Sequence, residues 1–386
     1  MNTLCASKEI VRIINDRRGR LGKLLERARK ARTTGFHLLV GNTETSDIEG
    51  ISAAGANAEA RRLTPRYDAE ALVMGTTKEG LPIPVSPAGI VSPVVLSRAS
   101  LQVLESSVSI VDCGSFYPPR INNFQAGSQP ARCLSTGDSL PESTVRELFE
   151  KGREYGERAA EKNELVIIGE CVPGGTTTAM AVLTALGYDA RDSVSNSVPV
   201  CNHRLRWRMI RRGFKNAGLP MPSVKTSYQR PAGLGAFEIM SHFGDPMQPF
   251  AAGMALAASR RAMVVLGGGS QMLTVFALLE DLAATSPEFE FDRDNLAVIT
   301  TKWVALDPSA NTRKLAEEIG APLACPMLNM LGSCHEGLQA YEQGHVKEGV
   351  GAGATMALAS HIKDIPLDTL LASIDLCYKE LVPFPH

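Results

Sequence analysis

Residues 165–180 read LVIIGECVPGGTTTAM, and this stretch decides the fold class. Four apolar residues come first, a turn rich in glycine follows, and apolar residues with helical spacing resume from Met180 onwards. Short, continuously apolar runs form strands that are buried on both faces of a parallel sheet. A strand, a glycine turn and a helix in direct succession are typical of α/β proteins.

The same succession recurs on both sides of this stretch. Four other apolar runs end in glycine or small polar residues and then give way to helical patterns: 36–40, 109–111, 263–266 and 296–299. We therefore predict a Rossmann-like α/β fold, with a mostly parallel, doubly wound sheet flanked by helices and a smaller helical subdomain. Such sheets bind ligands at the carboxyl ends of their strands, where these loops lie.

The chain is predicted to have three segments. Residues 1–35 are expected to form a basic N-terminal helical segment, because their apolar residues lie near helical spacing up to about residue 32. Residues 36–360 are predicted to form the α/β domain, and residues 361–386 a C-terminal helical tail.

The composition is that of a soluble globular protein, with 386 residues, a formal net charge of -1 and 44% hydrophobic residues. This charge balance gives no overall attraction to nucleic acid or to acidic membranes. No apolar stretch approaches the roughly 18 residues of a membrane span, and no signal peptide is visible, so we expect a cytoplasmic protein. Its eight cysteines form no CxxC pair, and no histidine cluster has zinc spacing, so no metal site is expected.

The first glycine turn is predicted to bind a phosphate. It nearly matches the P-loop pattern GxxxxGK[ST], but Gly175 stands where the lysine belongs, which favours a monophosphate over a nucleoside triphosphate. Backbone amides of Gly174 and Gly175 at the start of a helix would hold the phosphate. Thr176 and Thr177 would add hydroxyl donors, and Glu170 would accept from ribose hydroxyls. A purely structural turn with threonine caps is the alternative.

A second glycine loop, 267–270, lies between an apolar run and a predicted helix. Gly268 and Gly269 would allow a ligand to approach the backbone closely, and Ser270 would cap the helix or contact a phosphate. Tight packing of the strand against the helix would use the same residues, so both interpretations stand.

The third loop, 347–355, reads KEGVGAGAT. It contains GxGxG, but polar residues precede it where a dinucleotide-binding loop requires a strand, which disfavours a dinucleotide-dependent oxidoreductase. Glu348 stands among small residues, and burial there would raise its pKa and suit it to act as a general base. A surface glutamate ahead of a helix of small residues is the alternative.

Residues 203–212 read HRLRWRMIRR and contain five arginines. Helical spacing leaves most of these side chains in solvent, which disfavours an RNA-binding function, although one arginine could turn toward a substrate phosphate.

The three loops, in this order, resemble the nicotinate-nucleotide:dimethylbenzimidazole phosphoribosyltransferases and their archaeal and cyanobacterial relatives. The family's G-E-M-G-I-G-N-T-T element is similar to 169–177, its D-G-F turn to 267–269, and its G-E-G-T/S-G-A element, which carries the catalytic glutamate, to 347–352. Weaker matches are 49–52 to E-G-V-S and 111–114 to V-D-x-G.

Three departures from the family pattern stand out. Cys-Val-Pro at 171–173 replaces Met-Gly-Ile, Gly175 replaces asparagine, and Gly267 replaces aspartate. These changes indicate the archaeal and cyanobacterial branch and leave the acceptor base open.

The resemblance implies transfer of the ribose phosphate of nicotinate mononucleotide to dimethylbenzimidazole or a related base. The products would be nicotinate and an α-riboside phosphate for assembly of the lower cobamide ligand. Glu348 would take the acceptor's N–H proton, Gly349 beside it would contact the ribose phosphate, and Arg206 would take the place of a phosphate-holding lysine. Ser52 and Thr64 would line the base pocket. The resemblance also implies small-molecule substrates, no cofactor, no metal and a homodimer. A non-catalytic nucleotide-binding or regulatory protein on the same scaffold is the alternative.

Overall fold

The structure, a computed structural model, describes residues 9–80, 83–195, 203–221, 231 and 233–382. The strands of this part of the chain are β1 (Val11–Asn15), β2 (Thr34–Gly41), β3 (Ser107–Gly114), β4 (Phe124–Gln125), β5 (Leu165–Cys171), β6 (Met263–Gly267), β7 (Leu296–Ile299) and β8 (Leu323–Pro326). They form one eight-stranded sheet in the order β1-β8-β7-β6-β5-β2-β3-β4. Every neighbouring pair is parallel except β1 and β8.

Helices cover both faces of the sheet. Their bounds are α1 (Arg20–Ala28), α2 (Ala58–Met74), α3 (Val94–Leu104), α4 (Glu142–Lys162), α5 (Gly175–Leu186), α6 (His203–Asn216), α7 (Ala236–Phe243), α8 (Met247–Ser259), α9 (Ser270–Thr285), α10 (Lys302–Ala305), α11 (Thr312–Ile319), α12 (Glu336–Gln339), α13 (Ala352–Lys363) and α14 (Leu367–Leu381). None of the helices in the described ranges is long and apolar enough to cross a membrane.

Two hydrophobic cores lie on opposite faces of the sheet. Along β5, Ile168 belongs to the core that contains α4, α5, α8 and α9, whereas Ile167 belongs to the core that contains α1, α3, α13 and α14. Successive side chains of a strand point to opposite faces, so a strand between two cores must be apolar at every position. All five apolar runs are strands in the structure, and the predicted mostly parallel α/β fold is confirmed.

The prediction of a helix through most of the first 32 residues is wrong. Residues Val11–Asn15 form β1, which pairs antiparallel with β8 at the edge of the sheet, and only Arg20–Ala28 are helical. Asp16 separates the two elements, because its carboxylate accepts from the backbone N–H groups of Arg20 (2.7 Å) and Gly22 (3.1 Å). Residues 1–8 of the predicted first segment and 383–386 of the predicted tail lie outside the described residues.

Candidate functional site

A cavity with about 840 Å³ of empty space, open mouth included, lies at the carboxyl ends of β5, β6 and β7. The three glycine loops (169–177, 267–270 and 347–353) all contribute to its wall. The sequence-predicted residues that line it are Ser52, Thr64, Glu170, Gly174, Thr176, Gly269, Ser270, Glu348 and Gly349. Residues up to 297 positions apart in the sequence, from Ser52 to Gly349, therefore share one cavity.

The first loop presents a helix N-terminus to this cavity. Gly174 precedes α5 with φ of 84°, a left-handed conformation that favours glycine. The predicted amide pair needs one correction, because the N–H of Gly175 donates to the carbonyl of Val172 at 2.9 Å. Within the described residues, the N–H groups of Gly174 and Thr176 donate to no protein acceptor. The amides open to an anion are thus those of Gly174 and Thr176.

Two departures from the family pattern have steric reasons. A side chain at Gly175 would overlap the amide of Gln271, so the family's asparagine would fit there only if the Gln271 side chain moved. A Cβ atom at Gly267 would lie 2.9 Å from the Cβ of Ala354, so the aspartate of the family pattern does not fit there either. Both glycines allow neighbouring elements to pack closely beneath the cavity.

The second loop supplies another helix N-terminus. Gly269 and Ser270 line the cavity at the start of α9, and the Ser270 hydroxyl is buried without a hydrogen-bond partner among the described residues. Gly268 does not line the cavity; its N–H donates to the carbonyl of Ile299 at 3.1 Å, and a Cβ there would meet Met272. Two helix N-termini with free polar groups in one cavity favour an anionic ligand.

The third loop holds Glu348 in a backbone that L-amino acids rarely adopt. Val346, Lys347 and Val350 have φ of 60°, 27° and 54°. Each such residue costs about 1–3 kcal/mol, and strained positions of this kind cluster at functional sites. These residues fix the course of the backbone on both sides of Glu348.

Four donors surround the Glu348 carboxylate. Oε2 accepts from Thr300 Oγ1 (2.9 Å) and from the N–H of Thr301 (2.7 Å), and Oε1 accepts from the N–H groups of Gly349 (3.1 Å) and Gly353 (3.2 Å). The side chain thereby joins the start of α10 to the start of α13. Burial nevertheless raises the pKa of Glu348, because these hydrogen bonds only partly offset its desolvation.

Glu170 is the second carboxyl group of the site. Burial, and then the nearby charge of Glu348, raise the pKa of Glu170 to about 8. Its Oε2 accepts from the N–H of Val172 at 3.1 Å, and Gln271 also donates to it. Glu348 has more hydrogen-bond donors than Glu170, and these donors favour its ionised form, whereas a pKa of about 8 leaves Glu170 mostly protonated near neutral pH.

A buried ion pair lies directly beside Glu348, and the sequence analysis missed it. Lys347 Nζ lies 2.6 Å from Asp307 Oδ2, and both side chains are buried. Asp307 also accepts from the hydroxyls of Ser195 (2.5 Å) and Ser309 (2.7 Å). Although burial opposes it, these bonds hold the pKa of Asp307 below its ordinary value. The only sequence signal was a lysine next to the candidate catalytic glutamate.

The predicted base-pocket residues lie along one wall of the cavity. Thr64 Oγ1 contacts the carbonyls of Ala54 and Ala60, both at 2.9 Å, and so ties the 52–55 segment to α2. One turn after Thr64, the carboxyl of Asp68 also lines the cavity; the sequence analysis missed it. Burial raises the pKa of Asp68 to about 7.

Two more predicted phosphate-binding residues, Arg206 and Thr177, do not line the cavity, and neither do Gly175 and Gly268. Arg206 is buried, and its Nη2 donates to the carbonyl of Ile51 at 3.2 Å, which anchors the segment that carries Ser52. Thr177 is fully buried in the first turn of α5, behind the lining residues. Both residues support the cavity wall from behind.

One group of possible metal ligands lies outside the cavity. Cys334, His335 and Asp375 offer ligand atoms within 4.8 Å of one another. Protein contacts already use two of them, because His335 Nε2 lies 3.1 Å from the carbonyl of Asp375, and the Asp375 carboxylate accepts from Ser333. These contacts account for the cluster without an ion.

Comparisons with known proteins agree with this fold. Residues 96–346 match a family model described as Phosphoribosyltransferase. The UPF0284 proteins of Gloeobacter violaceus and Picosynechococcus are each 44% identical to the chain, over 88% and 84% of its length and 86% of theirs. CobT from Thermus thermophilus shares the fold with a TM-score of 0.57 at 19% identity, over 95% of this chain and 92% of that one. A nicotinate-nucleotide-dimethylbenzimidazole phosphoribosyltransferase from the same organism also has a TM-score of 0.57, at 17% identity over 96% and 95% of the two chains.

The α/β sheet and the matched family model together define the class, which is a phosphoribosyltransferase and hence a transferase. More narrowly, the chain belongs to the nicotinate-nucleotide:dimethylbenzimidazole phosphoribosyltransferase family, and to the UPF0284 proteins found in cyanobacteria. The resemblance stated from the sequence is therefore confirmed, including its cyanobacterial branch.

Proposed function

We propose that this protein transfers the ribose phosphate of nicotinate mononucleotide to a ring nitrogen of dimethylbenzimidazole or a related base. The observation that supports the proposal is the meeting of two helix N-termini and a carboxyl pair in one cavity. The amides of Gly174 and Thr176 and the Ser270 hydroxyl would hold the 5′-phosphate, because helix N-termini stabilise anions. The anchored phosphate would then present C1′ of the ribose to the acceptor.

The reaction breaks the bond between C1′ and the nicotinate nitrogen. The bonding electrons return to that nitrogen, which changes from a cationic pyridinium to a neutral ring, so the leaving group needs no proton. The acceptor nitrogen attacks C1′ from the opposite face, and inversion gives the α-riboside phosphate. The carboxylate of Glu348 would stabilise the positive charge that develops on the ribose.

Glu348 is the proposed general base, because its four hydrogen-bond donors favour the ionised form that can accept a proton. It would take the N–H proton of the acceptor ring as the new bond forms. The Thr300 hydroxyl, which donates to Glu348 Oε2, can rotate and accept instead. A protonated Glu348 would therefore keep a hydrogen-bond partner at the same position.

The test is to incubate the full chain with nicotinate mononucleotide and a panel of bases, and to measure free nicotinate and riboside phosphate. Glu348→Gln should lower kcat by a factor of about 10²–10⁴, the usual contribution of a general base. Glu157→Gln, at an exposed glutamate of α4, is the matched control and should leave kcat unchanged. Unchanged turnover in Glu348→Gln would remove this residue from the chemistry.

The non-catalytic alternative gives a different result in the same assay. A nucleotide-binding or regulatory protein would bind nicotinate mononucleotide, which calorimetry detects, and would release no nicotinate with any base. The predicted homodimer remains part of the proposal, and sedimentation of the full chain tests it.

A further inference from the structure

Asp68 is a buried acid in the site. The proposed phosphoribosyl transfer gives it no role. It lies on α2, is 2% exposed, and lines the cavity. The thiol of Cys171 donates to Oδ2 at 3.3 Å, whereas Oδ1 has no hydrogen-bond partner among the described residues. The nearby Ser92 hydroxyl partly offsets the rise in the pKa of Asp68 but makes no well-formed hydrogen bond to Oδ1.

An acceptor atom of this kind is expensive to leave without a donor. A buried polar atom without a partner costs about 1–3 kcal/mol, and more when it is charged. Native proteins contain few such atoms, and one in the wall of a cavity is completed by a water molecule or by a ligand. The Cys171 contact engages Oδ2, whereas Oδ1 is enclosed in the wall of the cavity without a hydrogen-bond donor from the described part of the chain.

The surroundings of Asp68 indicate what kind of ligand this is. The same cavity is lined by apolar side chains of Pro84, Val85, Ile90 and Pro93, from a segment separate from the three glycine loops. Apolar walls with a few placed polar groups are typical of sites for flat, largely apolar ring systems. An acceptor oxygen at this wall disfavours a phosphate, whose own oxygens are acceptors, and the ionised fraction of Asp68 would also repel it.

We propose that Asp68 selects acceptor bases that carry an N–H donor on the ring edge, such as the exocyclic amino group of adenine, over dimethylbenzimidazole. This inference rests on the proposed phosphoribosyl transfer. Oδ1 accepts the amino N–H of the bound base, and the buried carboxyl thereby gains the partner that it lacks. Dimethylbenzimidazole places methyl groups at its edge and leaves the carboxyl without a donor.

The role of Asp68 is specificity and not chemistry. The bonds that form and break remain at C1′, and the proton still goes to Glu348. A site built around a buried polar group rejects a substrate that leaves this group unpaired much more strongly than a purely apolar pocket rejects a size difference. One carboxyl group is therefore sufficient to set the preference between the two kinds of base.

The experiment compares adenine and dimethylbenzimidazole as acceptors, with nicotinate mononucleotide as donor. The wild type should have the higher kcat/KM with adenine. Asp68→Leu should lower the adenine-to-dimethylbenzimidazole ratio of kcat/KM by about 10- to 100-fold, the expected effect of losing a hydrogen bond to a charged group. Asp68→Asn should retain part of the preference, because its amide oxygen still accepts. The control is Asp192→Asn, an exposed acid outside the cavity, which should leave the ratio unchanged.

The outcomes separate this inference from the proposed function. Transfer to dimethylbenzimidazole with the same ratio in Asp68→Leu and wild type would overturn the selection by Asp68 and leave the transfer reaction standing. Absence of transfer to both bases would overturn the proposed function and this inference with it. Circular dichroism would show whether Asp68→Leu folds. If it does not fold, Asp68→Asn takes its place. An unchanged adenine-to-dimethylbenzimidazole ratio of kcat/KM in Asp68→Asn, together with an unchanged adenine affinity by calorimetry, would refute base selection by Asp68.

Discussion

Lys347→Met is expected to reduce both the stability and the turnover of the protein. The lysine pairs with Asp307 at 2.6 Å, and the two side chains are 4% and 2% exposed. Methionine has a similar length, so the substitution removes the charge and leaves the packing largely intact. Asp307 then remains buried with only hydroxyl and backbone donors, from Ser195 and Ser309.

The magnitude follows from the burial of the pair. Removing one partner of a buried ion pair costs about 3–5 kcal/mol, because the other charge is left without compensation. Asp307 keeps three hydrogen bonds and can also take up a proton. We therefore expect the free energy of unfolding to fall by an amount near the lower limit, about 3 kcal/mol. Lys347 has φ of 27° and precedes Glu348 directly. Loss of the pair therefore lets the loop relax, and kcat should fall with KM for nicotinate mononucleotide changing less.

Urea unfolding at pH 7 measures the change in the free energy of unfolding. The double-mutant cycle of Lys347→Met and Asp307→Asn should show a coupling energy above about 1 kcal/mol, because residues in direct contact are not additive. Arg313→Met breaks an exposed pair with Glu317 and is the control, expected to change the unfolding free energy by less than about 1 kcal/mol. A Lys347→Met protein as stable as the control variant, with normal kcat, would refute the reasoning.

Two further changes test other parts of the site. Gly175→Asn restores the family's residue, and its side chain should overlap Gln271. Steady-state kinetics should show KM for nicotinate mononucleotide raised at least about 10-fold. An unchanged KM would show that Gln271 moves aside freely. The pKa of Glu170 is raised to about 8 in the folded protein from 4.5, so the folded state binds the extra proton. Its contribution to stability is complete below pH 4.5 and is lost as the pH rises through about 8. Urea midpoints from pH 5 to 9 should fall in the wild type and fall less in Glu170→Gln, and equal slopes would contradict the assignment.

The central strands could be predicted because they lie between two cores. A strand that is buried on both faces must be apolar at every position, as Leu165–Ile168 are. Such a continuous apolar run is easy to recognise in the sequence. The edge strand β1 gave a weaker pattern, since only one of its residues, Asn15, is buried and Ile13 is 44% exposed. Its few apolar residues fit a helical period as well as a strand period, and pairing with β8 decided between them.

The site was predictable where a local motif carried the chemistry. Gly174, Ser270 and Glu348 each stand in a glycine-rich loop, whose function can be inferred from its neighbours in the sequence. Asp68 and Asp307 have no such neighbours, and their roles depend on contacts with residues 103 and 40 positions away. Tertiary packing alone brings those groups together, so their roles cannot be inferred from the residues beside them in the sequence.

The position of Glu348 links catalysis to the assembly of the scaffold. Its two carboxylate oxygens accept hydrogen bonds from backbone N–H groups at the starts of α10 and α13. A replacement that brings an amide or a methyl group to this position therefore disturbs both helix starts. Loss of activity in a variant at this position therefore combines lost chemistry with a local rearrangement. Both catalysis and the two helix starts therefore restrict which residues can replace Glu348. A relative that no longer catalysed the reaction would still need an oxygen acceptor at this position.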